Sequence, residues 1–227
     1  MRQSGSSSTH RRRPARRRLL RPSRLHAERR VHATGVLSAD GALSGARVRL
    51  RLLVAADLDE FVAYRRDVAV AAFQSWTPEF DLADARSLLA AQPAHGILPT
   101  EGEWAQLAID AVQADGEMAL VGDVGLCALA GQPDSYEICV TIAAAHQGRG
   151  YAREALEVLT DWLVDRAGAH RIIAQLDARN DGMRGLVSAL GWRFEGAAVE
   201  GDWFKGEWTT LERYAVLSRE WRARSRS

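Results

Sequence analysis

The chain has 227 residues, enough for one α/β domain with a full hydrophobic core plus extensions. Its net charge of +1 hides an asymmetry: residues 1–30 set eleven arginines against the single acid Glu28, giving +10, and the remaining 19 basic and 28 acidic residues give −9. No apolar run approaches the roughly 20 residues that span a bilayer, and no signal-peptide core is visible; the sequence predicts a cytoplasmic protein without a membrane segment.

Residues 1–45 read as a segment apart from the fold, too charged to bury a core and without apolar periodicity. Three readings stand. Clustered arginine binds phosphate, so the segment can be a nucleic-acid or ribosome-binding arm. An Arg- and Ser-rich, acid-poor stretch also fits an organellar transit peptide. The favoured reading is a disordered extension, or sequence upstream of the true start, because no aromatics are interleaved with the arginines. Every basic residue except Lys205 is arginine.

The folded part opens with the alternating run Arg47–Leu52, a first strand. Asp57 then caps a helix through Leu58, Phe61, Val62 and Tyr64. A loop holding Trp76, Pro78 and Phe80 leads to a second helix over Leu82–Ala91. Trp104–Ala114 and Met118–Ala128 read as two strands joined through Asp115-Gly116, a strong hairpin signal. Gly131-Gln132-Pro133-Asp134 turns the chain into a strand in which Ile138, Val140 and Ile142 alternate with Glu137, Cys139 and Thr141. An amphipathic helix follows, with Ala152, Ala155, Leu156, Leu159 and Leu163 on one face. His170–Asp177 is the next strand, Gly182–Leu190 a short helix ended by Gly191, and strands near Trp192–Glu200 and Glu207–Leu217 close the domain. The order β-α-α-β-β-β-α-β-α-β-β predicts an α+β fold: a mixed, largely antiparallel sheet of about seven strands flanked by helices.

Between the fourth strand and its helix lies Gln147-Gly148-Arg149-Gly150-Tyr151-Ala152. Two glycines and free amides at a helix N-terminus make an anion cradle, since unpaired N–H groups and the helix dipole both favour negative charge. The loop lacks the Lys-Ser/Thr pair of a nucleotide-triphosphate loop and the third glycine of the dinucleotide fingerprint. Cys127 and Cys139 fall on strands without metal-site spacing and are expected to pack as small hydrophobes. No histidine cluster has ligand spacing, so no metal is expected.

Gln147-x-x-Gly150-x-Ala152 resembles the acyl-CoA loop of the GNAT acetyltransferase superfamily. The flanks are similar too: Phe73-Gln74-Ser75-Trp76, Glu137-Ile138, Asn180, Leu190-Gly191-Trp192, Trp203–Trp208, Tyr214–Leu217 and Glu220-Trp221 follow in the right order. The resemblance covers residues 46–223 and looks closest to the RimJ/RimL type, which acetylates protein N-terminal amines. It implies the GNAT (acyl-CoA N-acyltransferase) fold and acetyl-CoA as co-substrate. Backbone near Val140, Thr141 and Ile142 would pair with pantetheine like an added strand, one N–H serving as oxyanion donor. Gln147, Gly148, Arg149, Gly150, Tyr151 and Ala152 would hold the pyrophosphate, with Arg149 or Arg153 adding charge. Asn180 would contact CoA or cap a helix; both can hold together.

Acetyl transfer needs a neutral amine, and Glu137 is the candidate base, its alternative being a surface glutamate on an outward strand face. The general acid is where this sequence departs from the family: Val187 stands where many members have tyrosine, with Ser188 adjacent, and Met183 where the RimJ/RimL type often has serine. A thiolate with a pKa near cysteine's, roughly 8.5, leaves without a strong acid. The acceptor side is expected from Trp76, Phe80, His95 and the Trp203–Trp208 segment, Trp203 in particular. The expected acceptor is a protein N-terminal α-amine or a small-molecule amine, attacked directly in a ternary complex by a monomer or homodimer. The rival reading is a non-catalytic acyl-CoA-binding module, directed to RNA or ribosomes by the basic arm.

Overall fold

The computed structural model describes residues 41–94, 96–114 and 116–224. The Arg-rich stretch 1–40, His95 and Asp115 lie outside the described residues, and with them the arm, the loop histidine and half of the predicted hairpin turn.

Eight strands form one sheet: β1 (Leu43–Ser44), β2 (Val48–Leu52), β3 (Trp104–Val112), β4 (Met118–Ala128), β5 (Ser135–Ile142), β6 (Arg171–Asp177), β7 (Arg193–Phe204) and β8 (Glu207–Leu217). Their order is β1-β2-β3-β4-β5-β6-β8-β7. Every pairing is antiparallel except β5–β6. The strand beyond the expected seven is β1, whose Leu43 pairs with Leu50. Two residues are too short to show a period, and they extend the sheet into the stretch that composition had set apart.

Among the described residues six α-helices accompany the sheet: α1 (Leu58–Arg65), α2 (Val68–Ala71), α3 (Leu82–Ala90), α4 (Tyr151–Asp165), α5 (Asp181–Ala189) and α6 (Ser218–Arg224). Asp57 precedes α1 but does not cap it with its side chain. Its carboxylate instead accepts from Arg51 Nη1 and Nη2 at 2.7 and 2.8 Å, and from the Val54 amide at 2.8 Å. Arg51 also reaches Asp110, so it joins β2, the turn before α1 and β3. The start of α3 is set by a reciprocal cap: Asp81 accepts from the Ala83 and Asp84 amides while Asp84 accepts from the Asp81 amide.

Each face of the sheet carries its own core. On one, the helical stripe Ala155, Leu156, Leu159 and Leu163 of α4 is fully buried with Leu107, Leu126, Ile138 and Ile172. Burying a leucine or isoleucine side chain contributes about 1.5–3 kcal/mol, and this stripe docks the crossover helix between β5 and β6. On the other face a smaller cluster gathers Leu53, Phe61, Val62, Phe80 and Ala108 under α1 and α3. Glu137, Cys139 and Thr141 share this second face with Asp123 and Gly125, their cross-strand partners being Cys127, Gly125 and Asp123. The alternation that looked like a solvent-facing side is therefore the side covered by α1 and α3.

Candidate active site

The pairing of β5 with β6 runs only from Ser135↔Arg171 to Glu137↔Ile173. Beyond Glu137, β5 keeps β4 on one edge, through Gly122↔Ile142, and among the described residues has no ladder partner on the other. Apart from the Ile142 carbonyl, which accepts from Gln147 Nε2, the backbone groups of residues 139–142 on that edge are thus available to an extended ligand. Gly122 lets β4 approach here: a β-carbon on it would lie 2.1 Å from the Thr141 carbonyl oxygen.

A cavity of about 450 Å³ opens along this gap, lined by Val140, Thr141, Ile142, His146, Gln147, Gly148, Gly150, Tyr151, Ala152, Arg153, Asn180 and Met183, with Val70, Phe73 and Gln74 opposite. Gly148 and Gly150 adopt φ of 73° and 82°, the left-handed region that glycine enters without strain. Gly150 is the N-cap of α4, and no side chain caps that terminus, so its first-turn amides face the loop. His146 Nδ1 is buried without a hydrogen-bond partner among the described residues. Free amides, a partnerless ring nitrogen and an open strand edge fit a phosphorylated, amide-bearing chain such as CoA.

The loop is held from below. Gln147 Nε2 donates to the Ile142 carbonyl at 2.9 Å. Arg47, just before β2, pairs with Glu154 at 2.9 Å, donates to the Arg149 carbonyl at 3.0 Å, and lies over the Tyr151 ring at 5.4 Å. Arg149 turns its own guanidinium to the Ala145 carbonyl at 3.0 Å and does not line the cavity, whereas Arg153 does. Asn180 lines the cavity and also caps α5, accepting from the Met183 amide at 3.0 Å.

A second cavity of about 850 Å³ shares Phe73, Gln74 and Thr141 with the first, so the two meet there. Its walls are Trp76, Phe80 and Trp104, its floor Gln106, Asp123, Cys139 and Gln175, and Glu79 and Asp84 add carboxylates. Arg65 is the one basic residue on the wall, against three acids. It is neutralised in place: Nη2 donates to Asp123 at 3.0 Å, and the guanidinium lies 3.7 Å over Trp76 and 4.0 Å over Phe61. Asp123 also accepts from Tyr64 Oη at 2.5 Å and from Gln106 Nε2. Burial pushes the Asp123 carboxyl above its ordinary range, against the pull of Arg65, Tyr64 and Gln106.

Asp123 and Glu137 are the carboxylates that β4 and β5 place on this face. Asp123 sits directly across from Thr141, but three donors already hold it. Glu137 lines neither cavity; it is half-buried and accepts one bond, from Gln175 Nε2 at 3.2 Å. Thr141 is the fourth residue beyond it, about 13 Å along β5, so it reaches the junction only through Gln175 and a chain of waters.

Sequence reasoning placed Trp76 and Phe80 on the acceptor side, and both line the second cavity. Trp203 lines neither; it is exposed on the β7–β8 hairpin, packed edge-to-face on Trp208 at 5.2 Å. The third wall is Trp104, which reads as an ordinary strand residue because its neighbours in the cavity come from distant elements. Arg65, Asp123 and Arg47 were missed for the same reason. Cys127 is buried as expected, but Cys139 is exposed on the cavity floor. Val187 is wholly buried in the core and Ser188 exposed, so neither position resembles a site acid. Among the described residues no group of three His, Cys, Asp or Glu side chains is arranged to hold a metal ion, and no helix is long and apolar enough to cross a membrane.

Comparison with known proteins accounts for the arrangement. An uncharacterized N-acetyltransferase, p20, from Bacillus licheniformis is 25% identical over 175 residues, 77% of this chain and 95% of that protein. The solved GNAT-family acetyltransferase from Bacillus anthracis superposes with a TM-score of 0.67 at 22% identity, covering 79% of this chain and 99% of its own. The spermidine N-acetyltransferase from Vibrio cholerae, solved with CoA and spermine, gives 0.65 at 19% identity, covering 78% and 99%. Residues 47–193 match the acetyltransferase (GNAT) domain family. The chain therefore belongs to the GNAT acetyltransferases, enzymes that take acetyl-CoA as co-substrate.

Proposed function

We propose that this enzyme acetylates a cationic primary amine by direct attack in a ternary complex, with acetyl-CoA along the open edge of β5 and the acceptor in the aromatic cavity. The observation that carries this reading is the meeting of the two cavities at Thr141, Phe73 and Gln74. An amine in the second cavity and a thioester in the first come together there, which removes the entropic cost of their encounter. The acceptor cavity favours a cation: three carboxylates face a single arginine that is already paired, and tryptophan faces attract ammonium groups. Spermine in the Vibrio cholerae structure makes a polyamine the first probe. The acceptor cavity, about 850 Å³, also suits a peptide N-terminus, the acceptor of the RimJ/RimL type that the sequence resembles.

In this reading Glu137 takes the proton through a chain of waters past Gln175, because Asp123, the carboxylate nearer the junction, is already held by three donors. A backbone N–H near Thr141 stabilises the oxyanion. Val140, Ile142, Gln147, Gly148, Gly150, Tyr151, Ala152 and Asn180 hold CoA. No side chain is needed as acid, since the thiolate leaves unaided near neutral pH. We place the enzyme in the cytoplasm, where acetyl-CoA and both acceptor classes coexist.

The test is thiol release from acetyl-CoA by the full chain against spermidine, an aminoglycoside and peptides with free α-amines, with CoA affinity measured in parallel. Turnover on spermidine or the aminoglycoside supports the cationic reading, and turnover on peptides alone moves it to the N-terminal type. Tight CoA binding without turnover on any acceptor supports the non-catalytic module.

A further inference from the structure

The tip of the β7–β8 hairpin is built around the chain's one lysine. Trp203 pairs with Trp208 and Phe204 with Glu207, leaving Lys205-Gly206 as a two-residue turn. Both turn residues have positive φ, 50° and 89°. That geometry is ordinarily filled by Asn-Gly or Asp-Gly. A lysine there is strained, and strain of this kind persists where its surroundings over-determine it. The surroundings are visible: Lys205 Nζ donates to the Ala71 carbonyl at 2.5 Å, on the C-terminal residue of α2. Glu207 holds the same tip through Arg179 at 2.7 Å, and Arg179 lies 6.0 Å from the Phe73 ring. Phe73, two residues beyond Ala71, lines both cavities. The tip is thus bonded to α2, two residues before the wall where the cavities meet, and Arg179 carries it near that wall at Phe73.

Lys205 is an exposed residue, yet its ammonium group is partly desolvated against α2. Burial lowers its pKa from the ordinary lysine value, with the Glu79 charge opposing. Glu79 itself lines the acceptor cavity. Lys205 lines neither cavity, but its primary amine on a flexible four-carbon stem, the Glu79 charge that acts on it and the cofactor cavity on the other side of Phe73 are the parts an acetyl transfer uses.

We propose that Lys205 is a self-acetylation site, modified by the enzyme's own acetyl-CoA when no acceptor is supplied. After the ammonium loses its proton to solvent, the Nζ lone pair attacks the thioester carbonyl. The N–C bond forms, the C–S bond breaks, and CoA leaves as thiolate. The second nitrogen proton passes to water or Glu79 and then to the thiolate, so the products are Nε-acetyl-lysine and CoA. The inference rests on family membership and on the hairpin geometry, and it is independent of which external acceptor the enzyme uses.

The full chain is incubated with acetyl-CoA alone, at a concentration that saturates its protection against thermal unfolding, and followed by intact mass and peptide mapping. Expected is a gain of about 42 Da, one acetyl group, located at Lys205. Its rate is independent of protein concentration and is suppressed by excess CoA. The Lys205→Arg variant keeps the thermal protection by CoA and shows no acetyl group on this peptide. The proposal is overturned if Lys205 stays unmodified under saturation or if the label sits only on the α-amine or a cysteine. It is equally overturned if the rate rises with protein concentration or ignores excess CoA.

Discussion

Arg47 is the residue outside the glycine loop that holds the loop most directly, and Arg47→Ala tests whether the CoA cradle is formed before CoA arrives. The side chain makes an ion pair with Glu154, one bond to the Arg149 carbonyl and a contact with the Tyr151 ring. It is about half exposed, 52%, so solvent screens the pair, and such pairs contribute about 0.2–1 kcal/mol. The bond to the Arg149 carbonyl adds about 1 kcal/mol, and the ring contact about 0.5 kcal/mol. Glu154 keeps its bonds from the Arg47 and Val48 amides in the variant, so α4 stays docked and melting falls by only a few degrees. What is lost is the tether on the backbone between Gly148 and Gly150. If roughly 1–2 kcal/mol of loop ordering is then drawn from binding, CoA affinity falls about 5- to 30-fold. Isothermal titration of CoA against both proteins, with melting curves alongside, reads the two effects apart. Unchanged CoA affinity refutes the argument, and so does an affinity loss matched by large thermal destabilisation. Arg47→Lys recovers only part of the loss, because an ammonium cannot reach Glu154 and the Arg149 carbonyl with a fixed fork.

Three further outcomes are expected. Gly122→Ala forces a β-carbon to within 2.1 Å of the Thr141 carbonyl; the β4–β5 ladder opens at the junction, and equilibrium titration finds CoA binding lost while wild-type affinity contradicts the register. Trp104→Ala removes a wall of the acceptor cavity alone, raising the acceptor KM about tenfold or more with the acetyl-CoA KM unchanged; equal rises in both disprove the division of the two cavities. Arg171 first, and then Arg193, hold the Glu195 carboxyl down at about 2, against burial. A lowered carboxylate pKa contributes stability above the unfolded value and loses it as pH falls through the folded one. Glu195→Gln is therefore less stable than wild type near neutral pH, and urea unfolding shows the gap closing between the ordinary glutamate value of 4.5 and about 2. A gap that persists at pH 2 contradicts the ion-pair origin.

The strand edge and glycine loop proposed to hold the cofactor were legible because their parts are contiguous. A period-two strand, two glycines and an amphipathic helix lie within thirty residues of chain, and backbone conformation alone builds the cradle. The acceptor half was not, because Arg65, Trp104, Asp123 and Gln175 come from α1, β3, β4 and β6 and meet only after the sheet is ordered. Trp203 was drawn to the site by its aromatic character, yet the β7–β8 hairpin turns it onto Trp208. Arg149 and Arg153 are equivalent by spacing; the bond from Arg149 to Ala145 decides between them. Glu137 illustrates a different limit. Alternation gives the face a residue shares but not which face is covered, and here α1 and α3 cover the more polar one.

Steady-state turnover of Glu137→Gln on the best acceptor reads whether an amine attacking at the Thr141 junction gives its proton to Glu137. Turnover at saturating acetyl-CoA is expected to fall about 10²–10⁴-fold, the usual worth of a positioned base, with CoA affinity unchanged and partial recovery at high pH. Turnover equal to wild type at neutral pH, with CoA bound as tightly, would contradict it.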